Sequence, residues 1–240
     1  MKHRSLRAAC ACLSFLLFSA AFLGGAAYMH RAAARPAVAD AGGELTFVLD
    51  AGHGGEDGGA VGVNGVYEKD LNLRIAMTLG QLLEEAGHTV VYTRTEDRLL
   101  YTAEQDIRGK RKMYDLRNRL ATAEAQPNAV LISIHMNKFS SARYSGLQVY
   151  YSGNHADSRI LADRIQNTVK ADLQPENNRA IKAADENIYL LHHATIPAVL
   201  IECGFLSHAE ECAKLSTADY QKALSFSIFC GIMEYIERSM

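Results

Sequence analysis

The chain has 240 residues, of which 48% are hydrophobic, so it can bury one good core and a single domain is the default. Its formal net charge is −2, which gives no electrostatic reason to expect a nucleic-acid partner. Beyond the N-terminal segment the cysteines are Cys203, Cys212 and Cys230. Three cysteines can form one pair but not a complete disulfide framework, so the fold must depend on its core.

The N-terminal segment differs in kind from the rest of the chain. Basic residues precede an uncharged stretch over residues 8–29. That stretch is about as long as the roughly 20 residues that cross a bilayer, and it exceeds the roughly 7–15 residues of a signal-peptide core. We interpret residues 1–31 as a membrane anchor or, alternatively, a cleaved signal segment. Either alternative carries the rest across a membrane, with residues 32–44 as a linker and residues 45–240 as the folded domain.

The folded part alternates strand-like and helix-like segments, the pattern of a largely parallel α/β sheet. Strands are predicted over residues 45–50, 89–93, 129–134, 146–151, 187–191 and 198–201. Apolar residues at helical spacing predict helices over residues 71–86, 113–123, 160–173 and 220–235. We therefore expect a single α/β domain with a mostly parallel central sheet flanked by helices. Its active site should lie at the C-terminal ends of the strands.

Three of the predicted strands each lead into a residue that can take part in zinc chemistry. The first strand leads to His53, the third to His135 and the last to Glu202. Because ligands bind at the carboxyl ends of strands in open parallel sheets, these side chains can meet. Glu68, which opens the first predicted helix, can join them if the intervening Gly-rich loop folds back. Two imidazoles and two carboxylates are enough for a hydrolytic metal site.

These residue types suit amide hydrolysis with a bound zinc ion. Zinc with three protein ligands and one open position polarises a carbonyl and lowers the pKa of bound water to about 7. One carboxylate would be a ligand, and the other would move the proton of the water. The spacing of Glu68 and Glu202 does not decide between these roles. Each residue also has a simpler explanation, since a single histidine after a strand is more often an ordinary loop residue.

Four short motifs follow one another between residues 45 and 238. They are Asp-Ala-Gly-His-Gly-Gly from residue 50, Glu-Lys-Asp-Leu from residue 68, Ser-Ile-His-Met-Asn from residue 133 and Glu-Cys-Gly-Phe-Leu-Ser from residue 202. Together they resemble the zinc-dependent N-acetylmuramoyl-L-alanine amidases of bacterial cell walls. The resemblance implies that His53, Glu68 and His135 bind Zn²⁺ and that Glu202 is the catalytic acid/base. It also implies that peptidoglycan is the substrate.

A narrower likeness involves residues 101–119 and residues 187–191. These segments resemble the membrane-anchored sporulation or germination-specific cortex amidases, which prepare cortex peptidoglycan for muramic-lactam formation. This likeness implies an extracytoplasmic enzyme on the forespore or cell-wall side, held to the membrane through its N-terminal segment, with an activator lipoprotein as a partner. Two positions depart from the common family pattern, Met136 in place of a small residue and His208 in place of asparagine.

Two other functions remain open at this stage. A zinc peptidase would cut between amino acids of the stem peptide, and a non-catalytic peptidoglycan-binding module would keep only the fold. An intact set of the four site residues argues against the module.

Several other residues receive a structural interpretation. Arg119 is expected to form a structural ion pair, and Cys203 is expected to be a packed thiol because no partnered base is evident. The remaining histidines are expected to be structural or exposed, with His192 and His193 as the best reserve ligands.

Overall fold

The structure, a computed structural model, describes residues 44–239 and has the predicted α/β architecture. Its strands are β1 (Thr46–Ala51), β2 (Thr89–Tyr92), β3 (Ala129–Asn137), β4 (Gln148–Tyr151), β5 (Lys182–Ala183) and β6 (Ala198–Phe205). Its α-helices are α1 (Glu68–Glu85), α2 (Arg111–Glu124), α3 (Ala156–Asp172), α4 (Tyr189–His193), α5 (Ala209–Leu215) and α6 (Ala218–Ser239). A short 3₁₀ turn spans Ala103–Gln105.

The strands form one sheet in the order β2-β1-β3-β6-β4-β5. The pairs β2-β1, β1-β3 and β3-β6 are parallel, whereas β4 runs antiparallel to β6 and carries β5 parallel to itself. The predicted fold class, a single α/β domain with a mostly parallel sheet, is therefore confirmed. The carboxyl ends of β1, β3 and β6 lie side by side at one edge.

Successive residues of the central strands alternate between two apolar cores. In β1, Phe47 and Leu49 belong to the larger core, which includes residues of α1, α3 and α6, while Val48 belongs to the smaller core under α2 and α4. The strand residues that belong to the larger core pack against long amphipathic helices and are fully buried. Because the side-chain period of a strand is two, Asp50 falls on the face of Val48. The site residues of the sheet share this smaller face.

The predicted strand over residues 187–191 is wrong. Residues 189–193 form the short helix α4, and its Leu190 and Leu191 pack into the smaller core. Asp185 accepts a hydrogen bond from the Asn187 N–H (3.0 Å), a local turn that precedes the helix. A short apolar run does not by itself distinguish a strand from a buried helical turn, and here tertiary packing decided it.

The N-terminal predictions fall outside the described residues. The membrane anchor or signal segment over residues 1–31, and all but the last residue of the linker over 32–44, therefore stay predictions. Among the helices between residues 44 and 239, none combines the length and the apolarity that crossing a membrane requires. Cys203, Cys212 and Cys230 are all free thiols, so the one disulfide that the sequence allowed does not form.

A buried ion pair holds the end of β1. The Oδ1 atom of Asp50 accepts hydrogen bonds from Arg119 Nη1 and Thr93 Oγ1, each 2.7 Å long, and its Oδ2 accepts one from Ser133 Oγ (2.6 Å). Both charged side chains are 1% exposed. Arg119 also forms an ion pair with Asp115 at 2.8 Å. The structural ion pair predicted for Arg119 is confirmed.

The environment of Asp50 stabilises its charged form. Burial by itself raises the pKa of Asp50, but the charge of Arg119 and hydrogen bonds from Ser133 and Thr93 outweigh it and lower the pKa to about 2 from an ordinary value of 3.8. A lowered pKa stabilises the fold above pH 3.8, and that contribution is lost as the pH falls toward 2. The difference corresponds to about 2 kcal/mol.

We expect Asp50→Asn to lower the free energy of unfolding by about 3 kcal/mol at pH 7, because it removes one of the two carboxylates that pair with the buried Arg119. Urea unfolding measures this. The difference from the wild type should shrink between pH 4 and pH 2, where wild-type Asp50 becomes protonated. Asp163→Asn is the control, since the side chain of Asp163 on α3 forms no hydrogen bond or ion pair with another described residue. Equal stabilities of wild type and Asp50→Asn at pH 7 would contradict the prediction.

Candidate metal centre

The side chains of His53, Glu68 and His135 meet at the carboxyl edge of the sheet. His135 Nδ1 lies 2.9 Å from Glu68 Oε1, and His53 Nε2 lies 3.2 Å from the same oxygen. The two imidazole rings cross edge to face with centroids 4.9 Å apart. The potential ligand atoms of all three residues lie within 4.8 Å of one another, so they could hold a metal ion.

Glu68 is fixed by the backbone around it. Its Oε2 accepts the Ala60 N–H (2.7 Å), and its Oε1 accepts the Met136 N–H (3.0 Å). Burial alone raises the pKa of Glu68, but hydrogen bonds and charges from His135 and His53 outweigh it and hold the pKa well below its usual range. The side chain is therefore an ionised carboxylate in a defined orientation, as a metal ligand must be. The loop between β1 and α1 does fold back, as the sequence required.

His53 adopts a backbone conformation that is uncommon for a residue with a side chain, with φ at 61°. Arg119 Nη2 donates a hydrogen bond to its carbonyl oxygen (2.7 Å), which ties the strained residue to the ion pair with Asp50. The Nδ1 atom of its ring faces Asp57 Oδ2 at 3.0 Å. A carboxylate at the second nitrogen is the usual arrangement that orients a metal-binding histidine.

The charge state of His53 follows from its two acidic neighbours. Burial lowers the pKa of His53, but the carboxylates of Asp57 and Glu68 outweigh that effect and raise the pKa to about 9. A metal ion bound to the ring nitrogen would replace the proton on Nε2, because a metal ligand must be neutral imidazole.

Two glycines leave the space that the histidine rings occupy. A Cβ atom on Gly52 would overlap the His135 ring, and one on Gly59 would lie 2.6 Å from Glu68 Oε2 and 2.8 Å from the His53 ring. Gly59 also has a φ of 66°, which favours glycine. The Gly-rich loop is therefore shaped around the three side chains. A Gly-rich loop can also indicate a phosphate-binding site, but here the glycines make room for the histidine and glutamate side chains.

The donor set fits a zinc ion. Ligand atoms bound at about 2.0–2.1 Å in tetrahedral geometry are about 3.3 Å apart, close to the 2.9 and 3.2 Å seen from Glu68 to the two imidazoles. Two imidazoles and one carboxylate also form a ligand set that catalytic zinc sites use. The residues present therefore match the metal that the sequence predicts.

Glu202 lies beside the cluster on the neighbouring strand. It pairs in register with His135, and the two side chains share a face of the sheet. Its Oε2 is buried, and no other described residue gives it a hydrogen bond. Burial raises the pKa of Glu202 to about 7, and the charges of His135 and His53 oppose that rise. A buried carboxyl with a free oxygen next to a metal site is suited to proton transfer.

A cavity of about 220 Å³ joins these residues. His53, His135 and Glu202 line it together with Lys112 and Tyr189. Lys112 belongs to a polar stretch between residues 97 and 115, which therefore reaches the site. Its Nζ lies 3.2 Å from Asp57 Oδ2.

Sequence reasoning missed Arg94, a fully buried residue that supports the Gly-rich loop. It donates hydrogen bonds to the carbonyl oxygens of Ala51, Gly52 and Lys69, at 2.8, 3.1 and 2.8 Å. Arg94 thereby ties the end of β1 to the start of α1. It follows a short predicted strand and carries no motif, so no local signal in the sequence identified it.

The other histidines between residues 44 and 239 lie outside the cluster, as expected. His155 and His208 are helix N-caps whose rings accept the N–H of Asp157 and Glu211. His192 and His193 are exposed on α4, and neither joins the metal-binding group found among residues 44–239.

Cys203 follows Glu202 but is fully buried in the larger core. Burial raises the pKa of its thiol well above the usual value. The prediction of a packed thiol is confirmed.

The fold and this edge of the sheet define a class, an α/β domain with a candidate metal centre at the carboxyl ends of its parallel strands. Residues 47–234 match the family model described as N-acetylmuramoyl-L-alanine amidase (Amidase_3). The chain belongs to this amidase family, which confirms the resemblance drawn from the motifs and makes it an enzyme.

Named relatives agree with this assignment. The germination-specific N-acetylmuramoyl-L-alanine amidase of Bacillus subtilis is 37% identical over 187 residues, which are 78% of each chain. The CwlD amidase of Clostridioides difficile, solved in complex with the GerS lipoprotein, is 39% identical with a TM-score of 0.76, and the match covers 80% of this chain and 98% of that one. The amidase AmiC2 of Nostoc punctiforme is 31% identical with a TM-score of 0.70, covering 82% and 99%.

We expect Gly52→Ala to weaken Zn²⁺ binding by at least about 10-fold, because the new methyl group displaces the His135 ring. Isothermal titration calorimetry measures the affinity, and thermal unfolding of the metal-free protein shows whether the fold survives. Gly153→Ala is the matched control, since its Cβ would meet nothing within 4 Å. Unchanged zinc affinity in Gly52→Ala would show that the His135 ring is not a ligand in this orientation.

Proposed function

We propose that this amidase is zinc-dependent and hydrolyses the amide bond between the lactyl group of muramic acid and L-Ala of the peptidoglycan stem peptide. His53, Glu68 and His135 would hold the ion, and Glu202 would be the catalytic acid/base. The observation that carries the proposal is the preformed His-Glu-His cluster with a partnerless carboxyl oxygen of Glu202 beside it. The substrate in this proposal is the one named in the description of the family and in the name of the similar germination-specific amidase.

When bound, the zinc ion would polarise the amide carbonyl and lower the pKa of a water molecule to about 7. The chain would contribute orientation through Glu68 and Asp57. Glu68 is held by two backbone N–H groups, and Asp57 faces the outer nitrogen of His53. These contacts would fix the orientation of the ligands around the ion.

Glu202 would move the proton. Its Oε2 has no hydrogen-bond partner among the described residues and so is available to accept a proton from the attacking water. Glu202 would then deliver that proton to the amino group of the departing L-Ala. Burial raises the pKa of Glu202, and a raised pKa suits a group that must be a base first and an acid afterwards at neutral pH.

We expect Glu202→Gln to retain bound zinc and to lose about 10²–10⁴-fold in turnover on purified peptidoglycan. Metal analysis measures the zinc. Product analysis measures the reaction, because an amidase leaves muramic acid free of peptide, whereas a peptidase leaves at least L-Ala attached. Glu234→Gln, at an exposed position on α6, is the control. Full activity of Glu202→Gln would rule out its role as acid/base.

We further propose that the enzyme acts outside the cytoplasm on spore cortex, in muramic-lactam formation. Similarity to a germination-specific amidase supports this context. The N-terminal segment would attach the enzyme to a membrane or export it. A lipoprotein partner is also proposed, because the similar CwlD amidase forms a complex with the GerS lipoprotein.

Deleting the gene should abolish muramic lactam in the cortex and leave the vegetative wall unchanged. Muropeptide analysis of both walls measures this, and reintroduction of the wild-type gene should restore the lactam. A deletion strain with an unaltered cortex would contradict the sporulation role but not the amidase activity.

A further inference from the structure

The candidate site continues across the sheet beyond Glu202. His135 pairs with Glu202, and Glu202 pairs with Gln148 of β4, so the three residues form one in-register row. Directly paired residues place their side chains on the same face. Gln148 Oε1 in turn accepts a hydrogen bond from Arg179 Nη2 (2.7 Å). The row therefore leads from the metal cluster to the guanidinium group of Arg179.

Arg179 is held in place by its surroundings. Its backbone N–H donates to Asn177 Oδ1 (2.9 Å), and Asn177 is itself buried against the start of β4. The guanidinium group lies 4.7 Å from the centroid of the Phe205 ring. Stacking on an aromatic ring and one hydrogen bond to Gln148 orient the planar group before any ligand arrives.

Most of the hydrogen-bonding capacity of this guanidinium is unused. The side chain of arginine has five N–H donors. Within residues 44–239, the side chain of Arg179 makes a single hydrogen bond, to Gln148. Its Nε is buried without a partner. No carboxylate of the described residues forms an ion pair with it, and the nearby Glu211 carboxylate instead accepts the N–H groups of Gly146 and Phe205. A half-buried arginine with this much free capacity is suited to a carboxylate ligand.

A second cavity, of about 650 Å³, opens beside Arg179. Tyr144, Gln174 and Asn177 also line it, so the walls are mostly polar. None of its lining residues belongs to the cavity of the metal cluster, and Gln148 stands between the two.

A short stretch of extended peptide can follow the row. Neighbouring strands are about 4.8 Å apart, so Gln148 is one strand spacing from Glu202. Arg179 Nη2 lies 2.7 Å from the Gln148 oxygen. An extended chain advances about 3.3–3.6 Å per residue, so a few residues of stem peptide are enough to lead from Glu202 toward Arg179.

We infer that Arg179 is a specificity-determining residue that binds the free carboxylate of the second stem-peptide residue, while the scissile amide lies at Glu202. The inference rests on the proposed function. The glycan is neutral, and the carboxyl of muramic acid is consumed in the amide, so the stem peptide is the part of the substrate that offers carboxylates. A guanidinium recognises a carboxylate by paired, charge-assisted hydrogen bonds.

The test uses the full-length zinc-loaded enzyme and two synthetic N-acetylmuramoyl peptides. They differ only at the second stem residue, where the α-carboxylate is free in one and a carboxamide in the other. We expect the wild type to prefer the free acid by about 10- to 100-fold in kcat/KM. Arg179→Gln should lose that preference through a slower reaction of the acid, with little change for the amide. Arg179→Lys should keep part of the preference for the free acid, because lysine retains the positive charge but lacks the planar set of paired N–H donors.

Arg159→Gln, at an exposed position on α3, is the matched control and should keep the wild-type preference. Zinc content and thermal unfolding confirm that each variant is folded and loaded. Equal losses on both substrates would show that Arg179 acts through Glu202 or the fold, and unchanged rates would show no role. Either result overturns the inference and leaves the proposed function standing. A wild type that cleaves neither peptide would overturn the proposed function and the inference with it.

Discussion

The structure depends above all on the buried pair of Asp50 and Arg119. A guanidinium group removed from water needs several partners, and Arg119 finds them in Asp50, Asp115 and the carbonyl oxygens of Ala51 and His53. These bonds join α2 to the end of β1 at the point where the backbone turns into the Gly-rich loop. The strained φ of His53 can persist because Arg119 donates a hydrogen bond to the carbonyl oxygen of His53.

The residues next to this pair form the candidate metal centre. Glu68 accepts contacts from both imidazoles and from two backbone N–H groups, so a single carboxylate connects the Gly-rich loop, α1 and β3. These contacts explain why the two glutamates have opposite pKa shifts. Glu68 stays ionised, whereas Glu202, whose carboxyl oxygen Oε2 is buried without such partners, has its pKa raised. Two glutamates close together thus differ because their surroundings differ. That difference is the physical basis for proposing one as ligand and the other as acid/base.

The sheet itself organises the proposed chemistry. Its parallel strands bring His53, His135 and Glu202 to one edge, and the antiparallel β4 adds Gln148 to the same row. Arg179 is hydrogen-bonded to Gln148 and offers a positive charge at the end of this row. The proposed reaction and the proposed selection of the substrate would then lie along one row of the sheet. The polar cavity beside Arg179 would give the stem peptide room to continue.

The sequence by itself determined the fold class, the four long helices and the edge at which His53, His135 and Glu202 meet. It could do so because strand and helix periods are local and because parallel strands share a carboxyl edge. It left open whether Glu68 folds back, and it misassigned residues 187–191 as a strand. Only the tertiary structure decided these points and revealed Arg94 and Arg179. Their contacts are with backbone and side chains distant in sequence, where residue spacing carries no information.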